Sequence, residues 1–160
     1  MRILGIDPGY ALVGFGVIDF DGNNYYVVDY GVVETTKDEN MAMRLNIVYD
    51  SIMELIEKYN PDCMAIEKLF YFKNQKTIVP VAEARGVILL AGINKNLNIF
   101  EYTPLQIKQA LTGNGRAEKK QIQYMVTSIL GLNSIPKPDD AADALAVAIT
   151  HANFNQMLIR

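Results

Sequence analysis

The chain is poor in the side chains that build disulfide frameworks and zinc centres. Its 160 residues include one cysteine, Cys63, and one histidine, His151. A single cysteine excludes a disulfide within the chain, so a reducing compartment, the cytoplasm, is the natural expectation. Cys63 stands inside an apolar run, which suits a small core residue better than a nucleophile. No apolar run approaches the roughly 18 residues of a membrane span. The first residues read directly as a strand, so neither a leader nor a membrane anchor is expected.

Charge of one sign is scarce in one half only. The whole chain carries −3 with a pI near 5.1, which argues mildly against a nucleic-acid partner. Between Lys68 and Lys137, however, ten Lys and Arg face three acids, a net of +7. The remainder holds five bases and fifteen acids, a net of −10. That asymmetry fits one basic face for a polyanion, with acids gathered elsewhere. Length and a half-apolar composition fit a single soluble domain over 1–160.

The chain begins Arg2-Ile3-Leu4-Gly5-Ile6-Asp7-Pro8-Gly9. Its apolar run suits a strand covered on both faces, and Pro8-Gly9 ends it just after Asp7. Asp7 taken alone is as consistent with a turn cap as with a site. Val13–Phe20 and Tyr25–Glu34 read as two further strands around the turn Asp21-Gly22-Asn23-Asn24. Met41–Tyr59 has helical apolar spacing, and Cys63–Ile66 is a short strand that also stops on an acid, Glu67. Strand, helix and strand in that order suggest a parallel crossover that sets Glu67 beside Asp7.

Phe70-Tyr71-Phe72 lies between Lys68 and Lys73, a pattern suited to base stacking and phosphate contact, or to rings folded onto the core. Asn74–Asn96 reads as a helix with almost no polar face, which implies burial on two sides and predicts a symmetric dimer. Asn98–Tyr102 is a fifth strand, followed by a short helix from Pro104, capped by Thr103 and carrying Lys108. Thr112–Arg116 is a basic turn, and Ala117–Leu130 a helix entered through Glu118-Lys119-Lys120. Arg116 and Lys120 are thereby candidate DNA contacts beside Lys73, Lys108 and Lys119. The last helix runs from about Asp139, a candidate N-cap, to about Phe154. Asp140 and Asp143 share one face of it among alanines. His151, two turns beyond Asp143, is expected to be structural.

Asp7, Glu67, Asp140 and Asp143 are therefore candidates for one site. Four crowded carboxylates repel one another, and a divalent cation relieves that repulsion. An oxygen-only donor set favours Mg²⁺ or Mn²⁺ over Zn²⁺. Two such ions about 4 Å apart activate a water and stabilise a leaving oxygen in phosphoryl displacement. With a basic face, this points to phosphodiester hydrolysis.

The chain resembles the RuvC family of Holliday-junction resolvases. The resemblance lies in ILGIDPG (3–9), AIEKLF (65–70), FKN (72–74), EARGV (83–87), FEY (100–102), AEKKQIQ (117–123) and DAADALAVAITH (140–151). It implies an α/β, RNase H-like fold: a five-stranded mixed sheet flanked by helices. It implies that Asp7, Glu67, Asp140 and Asp143 are metal-binding catalytic acids, with Asp140 rather than Asp139 in register. Lys108 and Lys119 match basic positions near the scissile strand, and Phe70 an aromatic that handles an unstacked base. It further implies a homodimer that nicks two strands of like polarity in a four-way junction with Mg²⁺; the two-ion chemistry above leads to an expectation of two ions per subunit. The branch-migration proteins RuvA and RuvB are the implied partners. Other readings are an actin-like kinase half, a non-catalytic DNA-binding module, and a nuclease acting on RNA or linear DNA ends. The first needs two such domains, and possession of all four acids argues against the second. The dimer helix and the chain-long resemblance count against the third.

Overall fold

A computed structural model describes residues 1–69 and 77–158, with side chains described to residue 155. The expectations for Phe70 and Lys73 lie outside the described residues. Among the described residues ten elements follow one another: β1 (Arg2–Asp7), β2 (Leu12–Phe20), β3 (Tyr25–Glu34), α1 (Met41–Tyr59), β4 (Cys63–Glu67), α2 (Ile78–Asn94), β5 (Asn98–Tyr102), α3 (Pro104–Thr112), α4 (Lys119–Ile129) and α5 (Asp139–Leu158). The sheet order is β3-β2-β1-β4-β5. β1, β2 and β3 pair antiparallel, while β4 and β5 run parallel to β1. This is the mixed five-stranded sheet expected from the order of elements.

Alternation along the strands divides the core between the two faces. Leu4, Ile6, Met64 and Ile66 pack with Val48, Ile52 and Ile88 of α1 and α2. Ile3, Cys63 and Ala65 pack on the other face with α3, α4 and α5. The same alternation turns Asp7 and Glu67 toward the α5 side. That face is lined by small residues where α5 crosses it. A Cβ on Gly5 would stand 2.2 Å from the Ala144 carbonyl oxygen, and one on Gly14 2.0 Å from that of Asp140. Ala141, Ala144 and Ala148 are fully buried in return. Thin helix and bare strands together bring the α5 backbone down onto the strands beside the acids.

Caps explain the boundaries. Asn40 accepts from Met43 to start α1, and Asn60, left-handed at φ 45°, ends it. Thr103 and Gln106 form a capping box before Pro104. Glu118 and Gln121 form another, so α4 starts at Lys119, two residues later than its sequence pattern indicated. α5 begins at Asp139 itself, so Asp139 lies in the first turn rather than before it as an N-cap. Its carboxylate binds Lys119 and Lys137 instead. Cys63 is buried, and that burial pushes its thiol up to about 12. His151 is buried, with Nδ1 2.7 Å from the Tyr102 hydroxyl and its ring over Phe100. No helix among the described residues is long and apolar enough to cross a membrane.

Candidate active site

β1 and β4 are adjacent and parallel, with Ile6 opposite Ile66, so their last residues, Asp7 and Glu67, stand side by side. Asp140 and Asp143 descend onto this strand end from the first turns of α5. The four acids sense one another. Burial holds the Asp7 carboxyl well above its ordinary range, and Glu67, Asp143 and Asp140 add to the rise, against Lys119. Burial, then Asp143, pushes Glu67 up to about 7, opposed by a hydrogen bond with Asp7 and by Lys119 and Lys108. Asp143 is raised by burial, against a bond from Lys119 Nζ at 3.1 Å. Burial pulls the Lys119 ammonium down, but Asp143 and Asp139 together outweigh it and leave it raised.

A groove beside the acids is lined by Glu67, Asp143, Lys108 and Lys119, with Pro104, Ile107, Ile122 and Ala146 as its apolar wall. Two expected basic residues therefore meet two expected acids in one cleft. Lys120 does not join them. It lines a separate groove with Leu111, Thr112 and Tyr124, so Lys119 and Lys120 border different grooves at the start of α4. Arg116 sits exposed in the turn before α4, its backbone N–H donating to Asn114.

Three contributors escaped the sequence reading. Arg85 of α2 donates to the Glu67 carbonyl through a long 3.5 Å contact and pairs with Glu101 of β5, so it braces the strand end. Asp139 lies 3.4 Å from Lys119, and Lys137 lies 2.9 Å from Asp139. The signal for Arg85 was its place within EARGV. Asp139 and Lys137 gave none beyond nearness to Asp140.

The donor chemistry fits a hard divalent cation: four carboxylates and no sulfur or imidazole. Among the described residues, no three Asp, Glu, His or Cys side chains close to coordination of a single point. The two observations are compatible, because Coulombic coupling extends over several ångströms whereas ligation needs about 2–2.6 Å. Here part of the charge is offset by Lys119, whose Nζ lies 3.1 Å from Asp143.

The family model described as "Crossover junction endodeoxyribonuclease RuvC" matches residues 3–151. The chain belongs to the RuvC family. RuvC of Fusobacterium nucleatum is 63% identical over 153 residues, spanning 96% of this chain and 80% of that protein. RuvC of Desulforamulus reducens is 54% identical over 155 residues, spanning 97% and 95%. Thermus thermophilus RuvC superposes with a TM-score of 0.91 at 34% identity, covering 98% of this chain and 96% of that one. The T. thermophilus RuvC structure in complex with a Holliday junction substrate gives 0.89 at 32% identity, with the same coverage. The fold of this RuvC-family chain is accordingly the RNase H-like α/β fold.

Proposed function

We propose that the chain is a Holliday-junction resolvase, an endonuclease that nicks two strands of like polarity in a four-way DNA junction by metal-dependent phosphodiester hydrolysis. The observation that carries this reading is the pair of strand-end carboxylates, Asp7 and Glu67, under a helix bearing Asp140 and Asp143. In this reading the four acids hold Mg²⁺, replaceable by Mn²⁺, with two ions per subunit. When bound, the metal supplies charge stabilisation and an activated water. Lys119 and Lys108, on the same groove, orient and neutralise the phosphate. Arg85 keeps the end of β4 in register with β5. The apolar wall formed by Ile107, Ile122 and Ala146 limits water beside the reacting phosphate. Phe70 is assigned to DNA contact by resemblance and Lys73 by its place beside the aromatic run, while Arg116 and Lys120 extend the basic surface beyond the groove.

The chain acts as one domain and as a homodimer. The outward stripe of α2 supports this: Val79, Leu90 and Ile93 are 63%, 52% and 60% exposed, and Gly86 lies in the same row with open space before it. A monomer has little use for such a face. Two subunits provide the two cuts. The reading includes RuvA and RuvB as partners and the cytoplasm as the place of action, and membership of the RuvC family supports it.

The test is a synthetic four-way junction beside a linear duplex of the same sequence, each with Mg²⁺. Paired symmetric nicks in the junction alone are expected. Equal cutting of the duplex would reject the assignment.

A further inference from the structure

Lys119 has two anionic neighbours. Its Nζ lies 3.1 Å from Asp143 and 3.4 Å from Asp139. Asp139 is itself held, since Lys137 Nζ sits 2.9 Å from its other oxygen. Four groups of alternating sign thus run from groove to rim: Asp143, Lys119, Asp139, Lys137. Asp143 is the least exposed side chain at 29% and Lys137 the most at 71%.

An ammonium seated on Asp143 competes with a divalent cation for the same carboxylate lone pairs. For the cation to engage Asp143, Lys119 must leave, and leaving into water forfeits its pairing. Asp139 changes that balance. It lies four residues before Asp143, one turn back on the same face of α5, within reach of the same lysine stem. Moving Lys119 between two neighbouring acceptors costs far less than releasing it.

We propose that Asp139 is a positioning residue that draws Lys119 off Asp143 when a divalent cation engages the site, and that Lys137 restrains Asp139 in doing so. The proposal rests on Asp143 as a cation ligand. Asp139 acts through Lys119 and touches neither cation nor phosphate. Lys137 competes for Asp139, so it works against the cation.

The experiment is a calorimetric titration with Mg²⁺ alone, without DNA, at low ionic strength. Asp139→Asn is expected to weaken Mg²⁺ binding by roughly two- to fivefold, the size of one exposed pair. Asp139→Glu keeps the charge and the reach and restores affinity. Lys137→Ala acts in the opposite direction and tightens binding by a similar factor. Both effects should collapse in a Lys119→Ala background, where no ammonium remains to be moved. Persistence of either effect at full size there would mean that the charges act on the cation directly through space, and would overturn the proposal. Unchanged affinity in Asp139→Asn would overturn it as well. Asp143→Asn separates the two layers: its loss of Mg²⁺ binding is expected, and wild-type affinity there would reject the ligand reading itself.

Discussion

Gly14→Ala tests whether the close seating of α5 sets the activity. Gly14 is in the last pair of the ladder with β1, opposite Asp7, and faces α5. A methyl group there would stand 2.0 Å from the Asp140 carbonyl oxygen and 2.5 Å from its carbonyl carbon. An ordinary carbon–oxygen contact is about 3.3 Å, so strand or helix must give by about 1.3 Å. The obstructing atoms are backbone, not a side chain that can rotate aside. Catalytic groups have to be held within about 0.5 Å of their working geometry. A shift of this size carries Asp140 and Asp143 out of that range and predicts about a hundredfold loss in nicking rate. The overpacking itself costs about 1–3 kcal/mol, or a few degrees in the thermal midpoint, so the protein stays folded. The assay is single-turnover nicking of a four-way junction, with junction affinity measured separately and expected to stay near wild type. Gly31→Ala is the control, because its methyl meets only the Phe15 ring at 3.1 Å, away from the acids. A folded Gly14→Ala enzyme that cuts within about threefold of wild type would refute the claim that helix seating positions the acids.

Asp7→Asn should abolish nicking while leaving junction binding, and should raise the thermal midpoint in chelator, since it removes a carboxylate raised by burial and by three neighbouring acids. Wild-type cutting by that variant would contradict the site. Lys119→Ala should slow cleavage and reduce the salt slope of junction affinity by about one; a rate unchanged across salt concentrations rejects the phosphate role. Leu90→Asp, in the exposed stripe of α2, should give a monomer by light scattering and uncouple the paired nicks; a persistent dimer would place the interface elsewhere. His151 supplies a pH signature. Burial lowers its pKa below the ordinary 6.5, so the unfolded chain takes up a proton that the folded chain refuses as pH falls through that value. Its titratable contact, Tyr102, is pushed up to about 12 and stays neutral throughout. Between pH 7.5 and 5.5 the wild type should therefore lose more stability in urea melts than His151→Gln, and equal losses would refute the assignment.

The order and type of the elements were legible because local signals agreed with the fold: apolar runs in the strands, the Asp21-Gly22-Asn23-Asn24 turn, helical apolar spacing over Met41–Tyr59, and Thr103-Pro104 before α3. Asp7 and Glu67 were legible because each ends an apolar strand, and a right-handed parallel crossover leaves little choice but to set them together. Helix starts were less so. Ala117 looked helical, yet the Glu118–Gln121 capping box places the first helical residue at Lys119. Asp139 was misread for a related reason. A charge at a helix start has a sufficient local explanation in capping and in the helix dipole, and nothing in the spacing of α5 shows that Lys119, twenty residues earlier, reaches across to it. Lys120 was placed with Lys119 by adjacency, but neighbouring positions on a helix differ by about 100° and need not serve one groove.

Crowded carboxylates in a half-buried site oppose folding, so their support must lie in the surrounding structure. α5 meets that need. From Ala141 to Ala152, the residues Ala141, Ala142, Ala144, Leu145, Ala146, Val147, Ala148, Ile149 and Ala152 are each at most 1% exposed. A helix with every apolar residue from Ala141 to Ala152 in the core cannot slide or rotate without opening voids, whose cost grows with their volume. Asp140 and Asp143 sit at the end of this element, where the chain first leaves solvent. The two acids of β1 and β4 are fixed equally by strands whose preceding residues are wholly buried on both faces. All four charges thus stand at the margin of rigid, apolar elements and not on loops. That placement keeps the repulsion available for a cation to relieve, because the carboxylates cannot simply move apart.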